Sequence, residues 1–143
     1  MPAENRTTLT VLIVDDDAGA ARALARLLRA CGHTAHVAYD AQEGFELASR
    51  MKPDLILHDL AMPGIDGHEA ARRLRAAPEF SNTVLIACSG SVDEEKARAA
   101  GFDGWLVKPI SDGDLDAVLE TVLQRVNSWA ASSENGKAPR PTE

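Results

Sequence analysis

Five short apolar runs constrain the fold of this chain more than any other feature. Each ends on an acid, a hydroxyl or a lysine, and each is separated from the next by a stretch with helical spacing. The first run, Leu9 to Val14, is continuous and β-branched, as in a strand buried on both faces of a parallel sheet. The others are Thr34 to Tyr39, Asp54 to His58, Val84 to Cys88 and Trp105 to Val107. Between them, Leu24, Leu27, Leu28 and Cys31 recur at helical spacing before Gly32, and Ala41 to Met51, Gly67 to Ala76 and Asp93 to Ala100 read as helices. A last helix carries Leu115, Val118, Leu119, Val122, Leu123 and Val126 on one face. Asp40 with Glu43, Asp66 with Glu69, Ser91 with Glu94 and Ser111 with Asp114 have the spacing of a helix cap and its third-position acid. Strands and helices alternating through such short connections predict an α/β fold, (βα)₅, with a doubly wound parallel sheet covered on both faces.

The boundaries follow from where this pattern holds. At 143 residues the chain has room for one domain with a proper core. Residues 8–127 form that domain and residues 1–7 an N-terminal extension. Periodicity stops at Ser128, where Ser, Pro, Gly and charge take over, so 128–143 reads as a flexible tail. The net charge of -7 argues against a phosphate-backbone surface, hence against direct nucleic-acid binding. Neither a membrane-length apolar run nor a secretory apolar segment occurs, so a cytoplasmic protein is expected. Cys31 and Cys88, far apart and in apolar stretches, read as reduced core thiols.

In an open parallel sheet, ligands collect at the carboxyl ends of the strands. Here those ends carry Asp15, Asp16 and Asp17, then Asp59, Ser89 and Lys108. If these strands are neighbours, several carboxylates, one hydroxyl and one ammonium share a pocket. Two carboxylates about 4 Å apart repel by roughly 4 kcal/mol at an effective dielectric of 20, so the cluster must hold protons or a cation. Oxygen donors without His or Cys select a hard ion, and a site left open to phosphate oxygens suits Mg²⁺. An aspartate beside such an ion can act as nucleophile, with Ser89 and Lys108 serving the oxygens of an incoming phosphoryl group.

The segments VDDD at 14–17, HDLAMPGIDG at 58–67, CSG at 88–90 and GFDGWLVKP at 101–109 resemble a response-regulator receiver domain. The resemblance runs from about Thr8 to Arg125 and implies the flavodoxin-like strand order 2-1-3-4-5. It implies that Asp59 accepts the phosphoryl group from a histidine kinase or histidine phosphotransfer protein. It also implies Mg²⁺ ligation by Asp16 directly, Asp15 through water, Asp59, and the Ala61 carbonyl. Ser89 takes a position expected to bond a phosphoryl oxygen, Lys108 is expected to pair with the phosphoryl or with Asp59, and Lys108–Pro109 is expected to be cis. Such a protein catalyses its own phosphorylation and dephosphorylation rather than turning over a substrate. Its downstream target would bind the face of the fourth helix, fifth strand and fifth helix, with Ser89 and Trp105 as the switch pair. Lys108 follows Ser89 by nineteen positions, about three fewer than is usual in the family, so a shortened fourth helix is expected.

Plainer readings apply to the neighbours. Asp17 caps the first helix, Asp54 only opens the third strand, and His58 packs on the sheet face opposite Asp59. His33, His36 and His68 lack metal-ligand spacing, and Met62 and Pro63 shape the loop after Asp59. Two rival functions have other bases. Asp15 and Asp17 form a DxD after a strand, as in small haloacid-dehalogenase-like phosphatases, which would make Asp15 the nucleophile. A pseudo-receiver would act as a scaffold without phosphorylation. Within the receiver reading, GFDGWLVKPIS looks closer to hybrid-kinase receivers, and no helix-turn-helix follows, so a stand-alone or hybrid-type receiver is expected over a transcription regulator.

Overall fold

The computed structural model describes residues 5–134. Five strands, β1 (Thr10–Val14), β2 (Thr34–Ala38), β3 (Leu55–Asp59), β4 (Val84–Ser89) and β5 (Gly104–Val107), form one parallel sheet in the order 2-1-3-4-5. The helices are α1 (Ala18–Ala30), α2 (Ala41–Met51), α3 (Gly67–Ala76), α4 (Glu94–Ala100) and α5 (Asp112–Glu134), with a 3₁₀ turn at Pro78–Phe80. The order reverses between β1 and β3, so a crevice opens at their carboxyl ends.

The sheet has two apolar faces because successive side chains alternate. Val11, Ile13, Leu57, Ile86 and Leu106 pack against α1 and α5, while Leu12, Val14, Ile56, Leu85 and Ala87 pack against α2, α3 and α4. Each strand therefore reads as an unbroken apolar run, which is what the sequence displayed. On α1 the buried stripe is Ala21, Ala25 and Leu28, whereas Leu27 and Cys31 are exposed. That corrects the reading of Cys31 as a core thiol: small alanines, rather than the larger residues, bring this helix close to the sheet. Cys88 is buried, and burial pushes its thiol up to about 12, as expected of an inert core cysteine.

Local signals place the helix starts. Asp17, Asp40 and Asp66 accept bonds from the amides of Ala20, Glu43 and Glu69, and Ser111 Oγ accepts from the Asp114 amide at 3.1 Å. At α4 the cap is Asp93, bonded by the Lys96 amide, in place of the expected Ser91. Asp is as good a cap as Ser, and Asp93 stands directly before the helical residues.

The carboxyl edge of the domain differs from the sequence reading. The last helix continues through Ser128 to Glu134, and Trp129 packs against the core under α5, so the periodicity is extended by one further apolar anchor. The remainder of the expected tail, 135–143, and residues 1–4 of the expected extension lie outside the described residues. Within the extension, Arg6 is held on the domain: its guanidinium reaches both oxygens of Asp54 at 2.9 and 2.6 Å, and its backbone exchanges bonds with the Asn127 side chain. Asp54 also accepts from the Thr10 amide at 2.8 Å, so it clamps the start of β1 as well as preceding β3. Truncation after Ala130 is therefore expected to leave the unfolding free energy unchanged, whereas truncation after Val126 should lower it by about 2 kcal/mol, the scale of one large apolar side chain. Chemical denaturation of the two truncated chains checks this, and equal stabilities would overturn it.

His33 contributes a pH dependence. Its ring is buried, its Nδ1 accepts the Leu9 amide at 3.0 Å, and burial lowers its pKa. Protonation would turn that acceptor into a donor facing a buried N–H. A base whose pKa is lower folded than unfolded contributes stability that is full above its unfolded value, about 6.5, and lost as pH falls through the folded value. Melting temperature is expected to decline from pH 7 to pH 5, with a shallower decline in His33→Gln, and identical slopes for the two chains would count against this.

Candidate phosphoryl and metal site

Two neighbouring strands deliver the acidic cluster. β1 leads directly into Asp15 and Asp16, and β3 ends at Asp59. One carboxylate oxygen from each of Asp15, Asp16 and Asp59 lies within 4.8 Å of the others. Asp15 and Asp59 are buried and Asp16 is exposed, so the cluster is a crevice with one open side. Lys108, just after β5, reaches across it, its Nζ 3.0 Å from Asp15 Oδ2 and 3.4 Å from Asp59 Oδ2. The expectation paired Lys108 with the phosphoryl group or with Asp59; the structure has it reach Asp59 and, more closely, Asp15.

The remaining oxygens are held by backbone. Asp15 Oδ1 accepts from the Asp17 amide at 2.9 Å and Asp59 Oδ1 from the Ala61 amide at 3.1 Å. Burial raises the Asp59 pKa above the usual carboxylate range, with Asp15 adding to the rise, while the Ala61 amide and Lys108 oppose it. Burial works against the Lys108 ammonium, yet the bond to Asp15 and the fields of both carboxylates outweigh it and hold its pKa above the ordinary value. One lysine thus compensates two buried acids and an exposed third. That excess of negative charge, presented by oxygen atoms alone, fits a small hard cation.

Ser89 ends β4 at the same edge of the sheet, and its carbonyl accepts the Lys108 amide at 2.7 Å, which fixes the lysine beside the crevice. Its hydroxyl makes one long contact, 3.5 Å from the Ser91 amide. The Lys108–Pro109 bond is cis. Asp17 is turned away as the α1 cap. Trp105 stands apart from the crevice: it packs with the α4 side of the core, and Arg98 of α4 lies over its ring at 5.3 Å. His58 is buried on the opposite face from Asp59, as alternation dictates, with Nδ1 2.8 Å from the Asp59 carbonyl oxygen.

One positioning residue was not visible in the sequence. A Cβ on Gly67 would come within 2.7 Å of the Asp59 carbonyl oxygen and 2.6 Å of Leu60 Cα, so only glycine lets α3 begin against the loop that follows Asp59. The signal was present as the last residue of HDLAMPGIDG, but a glycine at a helix start is equally an ordinary boundary.

Residues 11–120 match the family profile described as "Response regulator receiver domain". The transcriptional regulatory protein AfsQ1 of Streptomyces coelicolor is 34% identical over 116 residues, 81% of this chain and 52% of its own length. The transcriptional regulatory protein PrrA of Mycobacterium bovis is 35% identical over 96% of this chain and 59% of its own length. The chain thus spans a little over half the length of these curated relatives. The chemotaxis response regulator CheY4 of Vibrio cholerae superposes with a TM-score of 0.75 at 28% identity, over 81% of this chain and 99% of that one. A receiver fold, a crevice of three aspartates facing a lysine at its switch point and a profile match over most of the sequence agree: this chain belongs to the response regulator receiver domain family of two-component signalling.

Proposed function

We propose that Asp59 accepts a phosphoryl group from a phosphohistidine in a Mg²⁺-dependent reaction and that the modified domain changes its partner binding. Receiver domains bind Mg²⁺ at an acidic pocket and work with histidine kinases and downstream effectors. The observation that carries the reading for this chain is the convergence of Asp15, Asp16 and Asp59 on one crevice spanned by Lys108. Bound there, Mg²⁺ supplies charge neutralisation for the phosphoryl oxygens. Asp16 and Asp59 would hold it directly, with Asp15 through water and the Ala61 carbonyl as further ligands. Asp59 attacks through a carboxylate oxygen, forming an acyl phosphate as the bond from phosphorus to the donor imidazole breaks. Lys108 faces the incoming negative charge, and Ser89 offers a hydroxyl donor to a phosphoryl oxygen. The haloacid-dehalogenase-like alternative fits less well, because Asp17, the second acid of its DxD, is spent as the cap of α1, its oxygen accepting the Ala20 amide. A cytoplasmic location accords with this role, and among the described residues no helix is long and apolar enough to cross a membrane. The test is mass-spectrometric mapping after treatment with acetyl phosphate and Mg²⁺: phosphate on Asp59 supports the reading, phosphate on Asp15 or none at all overturns it.

The metal ligands give a separate expectation. Asp16→Ala should weaken Mg²⁺ binding at least about tenfold, the scale of one lost carboxylate ligand, while Asp17→Ala should change it little because Asp17 spends its oxygen on the α1 cap. Isothermal titration with Mg²⁺ distinguishes them, and equal losses would mean the acidic run is assigned to the wrong positions.

The output surface in this reading is the face of α4, β5 and α5. α4 has only seven residues, and its Arg98 covers Trp105. Phosphorylation would bias a two-state arrangement of this short helix and Trp105. Beryllofluoride with Mg²⁺, a phosphoryl mimic, is expected to change the emission of Trp105 in a Trp129→Phe background, and constant emission together with constant amide shifts over 91–100 would remove this face as the output surface.

A further inference from the structure

Asp59 is followed by two peptide units whose polar atoms are all held. In the first, the Leu60 N–H donates to the Cys88 carbonyl of β4 at 3.1 Å. The other end of that unit, the Asp59 carbonyl, points the opposite way in a trans peptide, toward the β1 side. The pairing of β1 with β3 stops one residue earlier, at Val14 and His58. His58 takes over there, with its Nδ1 2.8 Å from the Asp59 carbonyl oxygen. A carbonyl oxygen can only accept, so Nδ1 carries the proton and donates. In the second unit, the Leu60 carbonyl accepts the Gly67 amide at 3.2 Å, and the Ala61 N–H donates to Asp59 Oδ1 at 3.1 Å.

These four bonds differ in what supplies the donor. Three use backbone N–H groups, which every substitution short of proline keeps. The fourth uses the side chain of His58, which is only 2% exposed and lies on the sheet face opposite the Asp59 carboxylate. From that face the ring touches neither a phosphoryl donor nor an ion in the crevice, so its effect on Asp59 passes through the backbone. Without the bond, the 59–60 peptide unit is free to rotate at one end. The next unit carries the N–H that aims Asp59 Oδ1, so the carboxylate loses its alignment with it.

We infer that His58 is a positioning residue for phosphorylation of Asp59, fixing the 59–60 peptide unit and through it the direction of the acceptor carboxylate. The inference rests on the reading of Asp59 as the acceptor. It differs from a packing role in one chemical respect: it needs an N–H donor at the Nδ1 position, whereas packing needs only volume.

His58→Asn, His58→Gln and His58→Leu separate the two. Asn places an N–H donor as many bonds from the backbone as Nδ1, Gln places it one bond further, and Leu has none. For each full chain, the rate of labelling by acetyl phosphate at saturating Mg²⁺ is measured beside the melting temperature. His58→Leu and His58→Gln are expected to label about fivefold more slowly than the unaltered chain, the scale of one net hydrogen bond, and His58→Asn to recover most of the rate. Melting temperatures should run the other way, with Leu at or above Asn, because Leu12, Phe45 and Ile56 line the same groove and disfavour a second polar group. Rates that follow stability, or an unchanged rate in His58→Leu, would make His58 a packing residue and overturn the inference. If the Leu variant fails to fold, proton–nitrogen correlations within the ring of the unaltered chain decide: the proton belongs on Nδ1, and finding it on Nε2 alone would overturn the inference. Absence of label on Asp59 in the unaltered chain would sink the proposed function and this inference with it, whereas label there with equal rates in all three variants removes the inference alone.

Discussion

Asp59→Asn is expected to reduce phosphoryl labelling to background while leaving the fold intact. The amide is nearly isosteric, and its oxygen can still accept the Ala61 N–H that Asp59 Oδ1 accepts at 3.1 Å. What it loses is the anionic nucleophile. The same change removes one negative charge from a buried cluster in which burial already raises the Asp59 pKa, so the charged form is held at a cost. Removing that cost should raise the melting temperature in chelator and abolish most of the further rise that Mg²⁺ gives the unaltered chain. Labelling with acetyl phosphate, resolved as base-labile phosphate, together with thermal scans in chelator and in Mg²⁺, checks both halves. Labelling of Asp59→Asn at the unaltered level would sink the assignment of the acceptor.

The largest expected loss of stability lies far from the crevice, at Arg75. Its guanidinium donates to the carbonyls of Gly101 at 2.9 Å, Phe80 at 3.1 Å and Thr83 at 2.8 Å, and it pairs with Asp103. Asp103 in turn accepts the Leu85 amide at 2.9 Å, so one side chain of α3 ties together the 3₁₀ turn, the start of β4 and the entry to β5. Both side chains are less than a fifth exposed. Arg75→Met would keep the aliphatic stem but take the guanidinium away from three carbonyls and from Asp103, which is left with the Leu85 amide and Arg125, at a cost of about 3 kcal/mol. Urea denaturation measures it. A loss under about 1 kcal/mol would show that water replaces the guanidinium without penalty. Gly101 belongs to the same arrangement: its φ of 112° excludes most side chains, and a Cβ there would come within 2.5 Å of Arg75 Cγ.

This hub shows where sequence reasoning stops. Arg75 sits among Arg72 and Arg73 on a helix, and nothing in that run distinguishes an arginine that bridges three segments from two that pair with Glu69 one turn away. Cys31 illustrates the same limit. Its spacing with Leu24 and Leu28 places it on the apolar stripe, but the helix rotates to bury Ala21 and Ala25 instead, because close approach to the sheet favours the smaller side chains. At the carboxyl end, Ser128 to Glu134 lacks strong periodicity, and one aromatic ring on the core extends the helix there.

The sequence by itself determined the alternation of strand and helix, the ranges of α2 and α3, and the residues at the strand ends, because a strand buried on both faces must be continuously apolar and its terminus marks the first polar position. It also determined, through four motifs in order, which acids, hydroxyl and lysine to expect there. Tertiary structure decided how those groups divide their partners. Lys108 bridges Asp15 more closely than Asp59, Gly67 admits the loop after Asp59, Arg6 joins the domain through Asp54, and α2 and α3 leave an apolar groove lined by His58. Each of these depends on distances between segments far apart in the chain, which the packing of helices onto the twisted sheet sets and local periodicity does not encode.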